Sequence, residues 1–157
     1  MTLPRALNEA YISESDVHSW GDLKVLANDA AVIDVFTGII SGGLVGIGGS
    51  VPVTSIGNTT TARITGCTTN ASGRTEVNAD SVQRIGTTAG TLGAGFAGVA
   101  GSVAVSSIGA ATQAYIDSGS RVSWVNQDPA FASPSQDVFV IAHDTASIDD
   151  DTGTTAA

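Results

Sequence analysis

Residues 44–56, LVGIGGSVPVTSI, alternate between two kinds of side chain. From Val45 to Val53 the odd positions are aliphatic apart from one glycine, whereas the even positions from Gly46 to Thr54 hold only glycine, serine, proline and threonine. A two-residue period is typical of a strand, whereas at 3.6 residues per turn these valines would scatter around a helix. The pattern predicts internal ladders from the aliphatic face and close approach of another backbone or sheet on the small face.

A second block of the same kind follows at a fixed distance. GFAGVAGSVAVSSIGAATQAYI, from Gly95, matches GLVGIGGSVPVTSIGNTTTARI, from Gly43, without a gap and at an offset of 52 residues. Ala10-Tyr11-Ile12, Ala62-Arg63-Ile64 and Ala114-Tyr115-Ile116 fall on the same register. Similarity at a fixed period indicates an array whose units bury their apolar faces against one another.

The register slips in the third copy. VLANDAAVID, from Val25, reappears as VIAHDTASID from Val140, eleven residues later than two whole periods. The sequence between them, VNQDPAFASPSQ, is polar and contains two prolines, which is typical of a loop. We therefore predict one array over residues 1–157, with copies at 9–60, 61–112 and 113–157 and an insertion loop at 125–136.

These patterns predict an all-β protein, a parallel β-solenoid (β-helix) built from 52-residue repeats. We further expect each repeat to form three coils of roughly 17 residues, so that about nine rungs give a rod roughly 40–45 Å long. A solenoid has two open ends, and a slice without caps tends to stack or aggregate through them.

Composition narrows the function. Fifteen Asp and Glu against six Lys and Arg give a net charge of −9, which argues against nucleic acid and an anionic membrane surface as partners. The uncharged runs 35–62 and 85–116 are long enough to span a bilayer, but they are rich in Gly, Ser and Thr, so no membrane insertion is expected. The single cysteine, Cys67, excludes an intrachain disulfide framework and a multi-cysteine metal site.

The two Gly-rich blocks, each followed at a distance by VLANDAAV or VNADSV, resemble repeats of giant bacterial surface proteins. The likeness is to leukotoxin-type filamentous adhesins and filamentous haemagglutinin-like proteins. It implies a secreted β-helical shaft at the bacterial cell surface, with no catalytic motif to carry over. The expected partners are the chain itself, through end-to-end or lateral association, and a host or cell-surface protein or glycan. The alternatives are a self-assembling subunit that stacks end to end or through its small Gly/Ser/Ala face, a carbohydrate-active enzyme on the same scaffold, and a cytosolic protein.

An interaction surface is predicted around two tryptophans that stand two periods apart. Trp20 and Trp124, with Asp128 and Phe131 from the inserted loop, would contact sugar or protein if exposed. If the tryptophans are buried, they are simply corner packing.

Metal and catalytic chemistry have few candidates. His18 and His143 occupy different repeat positions and are interpreted as polar corner residues, although an enzyme on this scaffold would use His143 with Asp144. No cofactor is expected, and Asp149-Asp150-Asp151 would suit Ca²⁺ only if it is not a solvated tail that frays. Threonine rows such as NTTT do not recur at one repeat position, which argues against an ice-binding array.

Overall fold

The protein is all-β, and its sheets are parallel. A computed structural model describes residues 5–117, 119–122 and 136–156, and the side chains of these residues except 95–98, 155 and 156. The strands are β1 (Ala6–Ser13), β2 (Asp16–Ser19), β3 (Leu23–Ser50), β4 (Val53–Ile56), β5 (Asn58–Thr65), β6 (Thr68–Ala71), β7 (Thr75–Ser102), β8 (Val105–Ile108), β9 (Ala111–Asp117), β10 (Arg121–Val122) and β11 (Val138–Ala156).

Each strand lies beside its counterpart in the next repeat. The three-stranded sheets have the orders β1-β5-β9, β10-β6-β2 and β11-β7-β3, and β4 pairs with β8. Ala6 pairs with Asn58 and Leu23 with Thr75, so the ladders run at the 52-residue offset of the sequence repeat. The strands of one repeat therefore form one layer, and three layers stack in register.

One layer takes a whole repeat, so the expected division of each repeat into three coils is wrong. The 28-residue strands β3 and β7 pair with each other from Leu23 beside Thr75 to Ser50 beside Ser102. At about 4.8 Å between neighbouring strands, three layers span about 10 Å from the first backbone to the third, instead of the expected rod.

The third layer receives its extra residues in two places. Ala111 to Asp117 keep the 52-residue offset, whereas Arg121 pairs with Thr68, one residue later. Val138 pairs with Thr75, so the third layer has by then gained ten more residues beyond the 52-residue offset. The first extra residue enters at a turn that contains Gly119, whose φ of 76° favours glycine. The predicted loop, 125–136, accounts only for the second insertion and lies outside the described residues except for Gln136.

The apolar core lies between the sheet of β1, β5 and β9 and the first half of the sheet of β3, β7 and β11. It is richest in the middle layer, where Ile64, Val77 and Ala79 are fully buried. Ile12 and Ile116 flank Ile64 in the ladder and pack against this cluster from the outer layers. The sequence register thus places like side chains over one another inside the fold.

The aliphatic face lies outside the fold, so the expectation of internal Val/Ile ladders is wrong for this segment. In the first layer Val45, Ile47, Val51 and Val53 are all more than 65% exposed. The even positions are the inner ones, and Ser50, Pro52 and Thr54 are buried. Alternation along a strand shows that there are two faces, but it does not show which one faces the core.

A corner at Gly43 explains why the small face is inside. Its φ is 148°, and the sheet of β3, β7 and β11 curls into half a barrel. Beyond the corner, a Cβ at Gly46 would lie 3.3 Å from the Ser41 hydroxyl, and one at Gly48 would lie 3.4 Å from Ile39. A larger residue would be tight there because the two limbs of β3 pack closely, so the close approach predicted for the small face is made by the chain itself.

The interior becomes polar away from the apolar core. Gln83 is fully buried in β7, and its amide group donates to the Ser81 hydroxyl. Asn58 donates to a carboxylate oxygen of Asp29 at 2.7 Å, which links two walls of the fold. Among the described side chains, the Gln83 Oε1 and the Oγ1 atoms of Thr60 and Thr91 are buried without a protein partner. Burying a polar atom without a hydrogen-bond partner costs free energy. This polar part of the interior therefore contributes less to the stability of the fold than an apolar core of the same size.

The acidic run near the carboxyl end forms a paired strand, so the expected fraying tail is wrong. Asp149, Asp150 and Asp151 lie in β11 and pair with Gly86, Thr87 and Thr88 of β7. Ser106 donates to a carboxylate oxygen of Asp150 at 2.8 Å, while the carboxylates on either side alternate to the other face.

We expect Gly73→Ala to destabilise the protein by about 1–3 kcal/mol, because overpacking shifts neighbouring backbone. A Cβ at residue 73 would lie 3.1 Å from the Asp22 backbone nitrogen and would displace the Asp22 carboxylate, which accepts a hydrogen bond from the Arg74 N–H. Urea unfolding measures the change. Gly90→Ala is the matched control because its Cβ would meet nothing within 4 Å. Equal losses of stability for the two variants would contradict the close packing of Gly73 against Asp22.

Candidate interaction surfaces

The most prominent surface is the outer side of β3, β4, β7 and β8, which we call the aliphatic face. Its members in the two layers that carry it are Val45, Ile47, Val51, Val53, Val99, Val103 and Val105, and each is between 49% and 77% exposed. Ile47 pairs with Val99 and Val53 with Val105, so the apolar rows continue from layer to layer. Exposed apolar side chains in a contiguous group mark a site of interaction, whereas scattered ones do not.

The backbone beneath this face is continuous. Val103 N–H donates to the Ser50 carbonyl at 2.9 Å, and Val105 N–H donates to the Pro52 carbonyl at 3.0 Å. These bonds bridge the breaks between β3 and β4 and between β7 and β8. The face is therefore one ordered wall.

An apolar depression of about 500 Å³ lies on the other side of the corner at Gly43. Phe36, Ile40 and Leu92 contribute its large side chains, and Gly38 and Gly90 form part of its floor. Phe36 and Ile40 are both at least 80% exposed. Its lining contains no charged side chain, so apolar groups are the ligands that it would accommodate.

A second cavity, of about 550 Å³, is polar. Asp34, Asp149 and Asp151 line it together with one cation, Arg84. A Cβ at Gly86 would lie 2.6 Å from an Asp34 carboxylate oxygen, so glycine leaves the space that this carboxylate occupies. Within the described part of the chain, no group of three or more His, Cys, Asp or Glu side chains has a metal-binding arrangement.

Of the predicted interaction residues, only Trp20 is described. It follows β2 at a corner, and 73% of its surface is exposed, which fits a contact surface better than corner packing. Trp124, Asp128 and Phe131 lie outside the described residues. The predicted surface around the two tryptophans therefore stays a prediction.

The structure does not bring the candidate catalytic residues together. His18 lies in β2 opposite Asn70, and His143 lies in β11 opposite Asp80, in a different sheet. The neighbouring residue Asp144 accepts a hydrogen bond of 3.4 Å from Thr112. His143 contacts the Thr145 hydroxyl at 3.2 Å, and consecutive residues of a strand point to opposite faces.

Arg63 replaces a tyrosine of the flanking repeats and lies between two of them. Its guanidinium carbon is 5.1 Å from the centre of the Tyr11 ring, and its Nη1 donates to the Tyr115 hydroxyl at 3.4 Å. The hydrogen bond to Tyr115 and the attraction of its phenolic oxygen raise the pKa of Arg63. Arg63 thus links the three layers through a cation–π contact on one side and a hydrogen bond on the other.

The register confirms that the threonine rows do not form a regular array. Thr59 pairs with Ala111, and Thr61 pairs with Gln113. An ice-binding face would need threonine at the same position in successive layers, and the ladder places other residues there.

Sequence reasoning found the aliphatic residues but assigned them to the core. The signal for an outer position was the neighbouring face, which contains only glycine, serine, proline and threonine and no charge. Such a face rarely meets water, because solvated strand faces usually carry charged side chains.

Neither a known protein family, nor a curated protein, nor a solved structure matches this chain. The described residues contain no helix of the length and apolarity that crossing a membrane requires.

Proposed function

We propose that the chain is a segment of a parallel β-solenoid with one 52-residue repeat per turn. It serves as a structural and adhesive part of a secreted bacterial fibre or surface adhesin, without catalytic activity. The observation that carries this proposal is the in-register pairing of the repeats in all four sheets that join layers one and two, with Leu23 beside Thr75 as one example.

Two further observations support this role. The middle layer buries its inner side chains against the layers above and below, which makes each layer depend on its neighbours. The repeat blocks also resemble those of filamentous adhesins, whose shafts are lengthened by repetition. An exposed Trp20 and the inserted segment after Val122 would supply contacts to a host or cell-surface protein or glycan.

A self-assembling subunit is the second candidate, and the edges of the stack favour it. The strand β3 has 28 residues and pairs on one side only, with β7. A long edge strand is a template for pairing with another chain. Association through the small face does not fit this structure, because Ser50, Pro52 and Thr54 are buried, so stacking end to end is the route we propose for this candidate.

Force spectroscopy along the stack tests the shaft. With handles at residues 6 and 156, the chain should unfold in steps that each release one layer. At up to about 3.5 Å for each extended residue, a 52-residue layer lengthens the chain by about 180 Å. Steps of one third of this length, from a repeat divided into three coils, would contradict one repeat per turn.

Adhesion is tested separately from stacking. Immobilised protein should retain glycan- or protein-coated beads, and Trp20→Ala should reduce retention at least several-fold without changing the force steps. Trp20 is exposed, so its removal leaves the core intact. If Trp20→Ala changes neither bead retention nor the force steps, the stacked structure is supported but Trp20 is not part of the adhesive surface.

A further inference from the structure

We infer that the aliphatic face is a docking surface for a second copy of this chain, which pairs with it face to face. This pairing stands on the exposed face alone and does not depend on the adhesive and structural role proposed above. It differs from end-to-end stacking, because the layers of the two copies lie side by side. It differs also from the predicted small-face contact, because the aliphatic rows and not the glycine rows are outside.

The first argument is the area of the face. Val51 and Val53 are 67% and 74% exposed, and their counterparts Val103 and Val105 in the next layer are about half exposed. The seven side chains together present on the order of 500 Å² of apolar surface. Pairing two such faces removes on the order of 1,000 Å² from water, which is the lower limit for a specific interface. We therefore expect a weak dimer, with a dissociation constant in the micromolar range.

The second argument is the distribution of charge. The chain carries a net charge of −9, but residues 35–62 and 85–116 contain no charged side chain. Two copies that approach through a charged face bring like charges together, whereas at the aliphatic face they meet without repulsion. A partner selected by charge, such as a basic protein, would find nothing on this face to bind.

The third argument is the order of the rows. Along β3 and β4 the outward positions are Val45, Ile47, Gly49, Val51 and Val53. This order of two large residues, one glycine and two large residues has the same size profile in both directions along the strand. In this layer a copy rotated by a two-fold axis parallel to the stack therefore presents the same order of large and small residues, which suits an isologous dimer, whereas in the next layer the position of Val45 is taken by Ala97. Because that axis keeps the layers of both copies aligned, each further layer would extend the same contact.

Sedimentation velocity between about 1 and 500 μM tests the pairing on the full chain. We expect a concentration-dependent monomer–dimer equilibrium that closes at two copies. The double variant Val51→Asp/Val103→Asp should raise the dissociation constant at least tenfold, since it places four carboxylates in the paired face. Val32→Asp is the matched control, because Val32 is 61% exposed on the outer side of β3 before the corner.

Four results would overturn the inference. They are a monomer at every concentration, oligomers that grow beyond two copies, equal weakening by Val32→Asp, and a monomer that floats with phosphatidylcholine vesicles. Open-ended growth would point to edge stacking, and flotation would assign the face to lipid. Circular dichroism checks that the variants keep the β-structure of the parent, and Val51→Thr/Val103→Thr, which adds no charge, provides a second variant for the same comparison.

Discussion

A protein in which residues 58–109 are duplicated in tandem should fold and unfold at a higher urea concentration than the parent. The duplicated segment contains β5 to β8, one complete layer, and it begins one residue after Gly57 and ends at Gly109, which are equivalent positions. The new layer has a partner on both sides. At about 0.05–0.15 kcal/mol per residue, 52 further residues add about 3–8 kcal/mol to the free energy of unfolding if all layers unfold together. The dependence on urea should steepen too, because more surface is exposed on unfolding.

The matched control for this duplication lacks one residue in the middle of the added copy. Deleting the counterpart of Ser81 shifts the counterparts of residues 82–102, three quarters of a 28-residue strand, by one position, which turns their inner side chains outward. We expect this variant to lose the added stability or to fail to fold. The native extra residue between Asp117 and Arg121 is tolerated because it lies in a turn. If the shifted copy is as stable as the complete one, the layers do not depend on register.

Ile64→Ala should destabilise the protein by about 3 kcal/mol, within the range of 2–5 kcal/mol for deleting a buried isoleucine side chain to alanine. Ile64 is fully buried in the middle layer and contacts the apolar core between Ile12 and Ile116. The neighbouring layers cannot collapse into the cavity without breaking their ladders. Urea unfolding at a protein concentration where the chain is monomeric measures the loss.

Ile40→Ala is the control for this second prediction. Ile40 is 82% exposed and lies outside the aliphatic face, so removing its side chain should change stability by no more than about 0.5 kcal/mol. A large loss at Ile40 together with a small one at Ile64 would reverse the assignment of inside and outside.

The repeat made the pairing of strands predictable from the sequence. Tyr11, Arg63 and Tyr115 share one register in the sequence, and they lie side by side in the ladder. Identical segments at a fixed spacing bury the same side chains when they stack, so the constant offset between copies predicted the partner of each residue. The all-β class followed from the same alternation of side chains.

The number of strands in a turn and the direction of each face could not be derived in this way. Both depend on where the chain bends, and the bend at Gly43 is one glycine among many in that block. Val45 and Val77 have similar local patterns, yet the first is 69% exposed and the second is fully buried. The difference arises from the opposite wall, which sequence periodicity does not describe. The sequence therefore identified the aliphatic residues correctly, but it predicted that they face the core, whereas they face outward.

A layer that takes up a whole repeat makes the stack broad for its height. Each layer advances the stack by about 4.8 Å, whereas an α-helix with as many residues as one layer would reach about 78 Å. Reach is therefore not what the polypeptide gains from this architecture. Each added layer instead contributes a row of 52 residues for about 4.8 Å of height, so the stack gains side-chain surface in steps of one whole repeat.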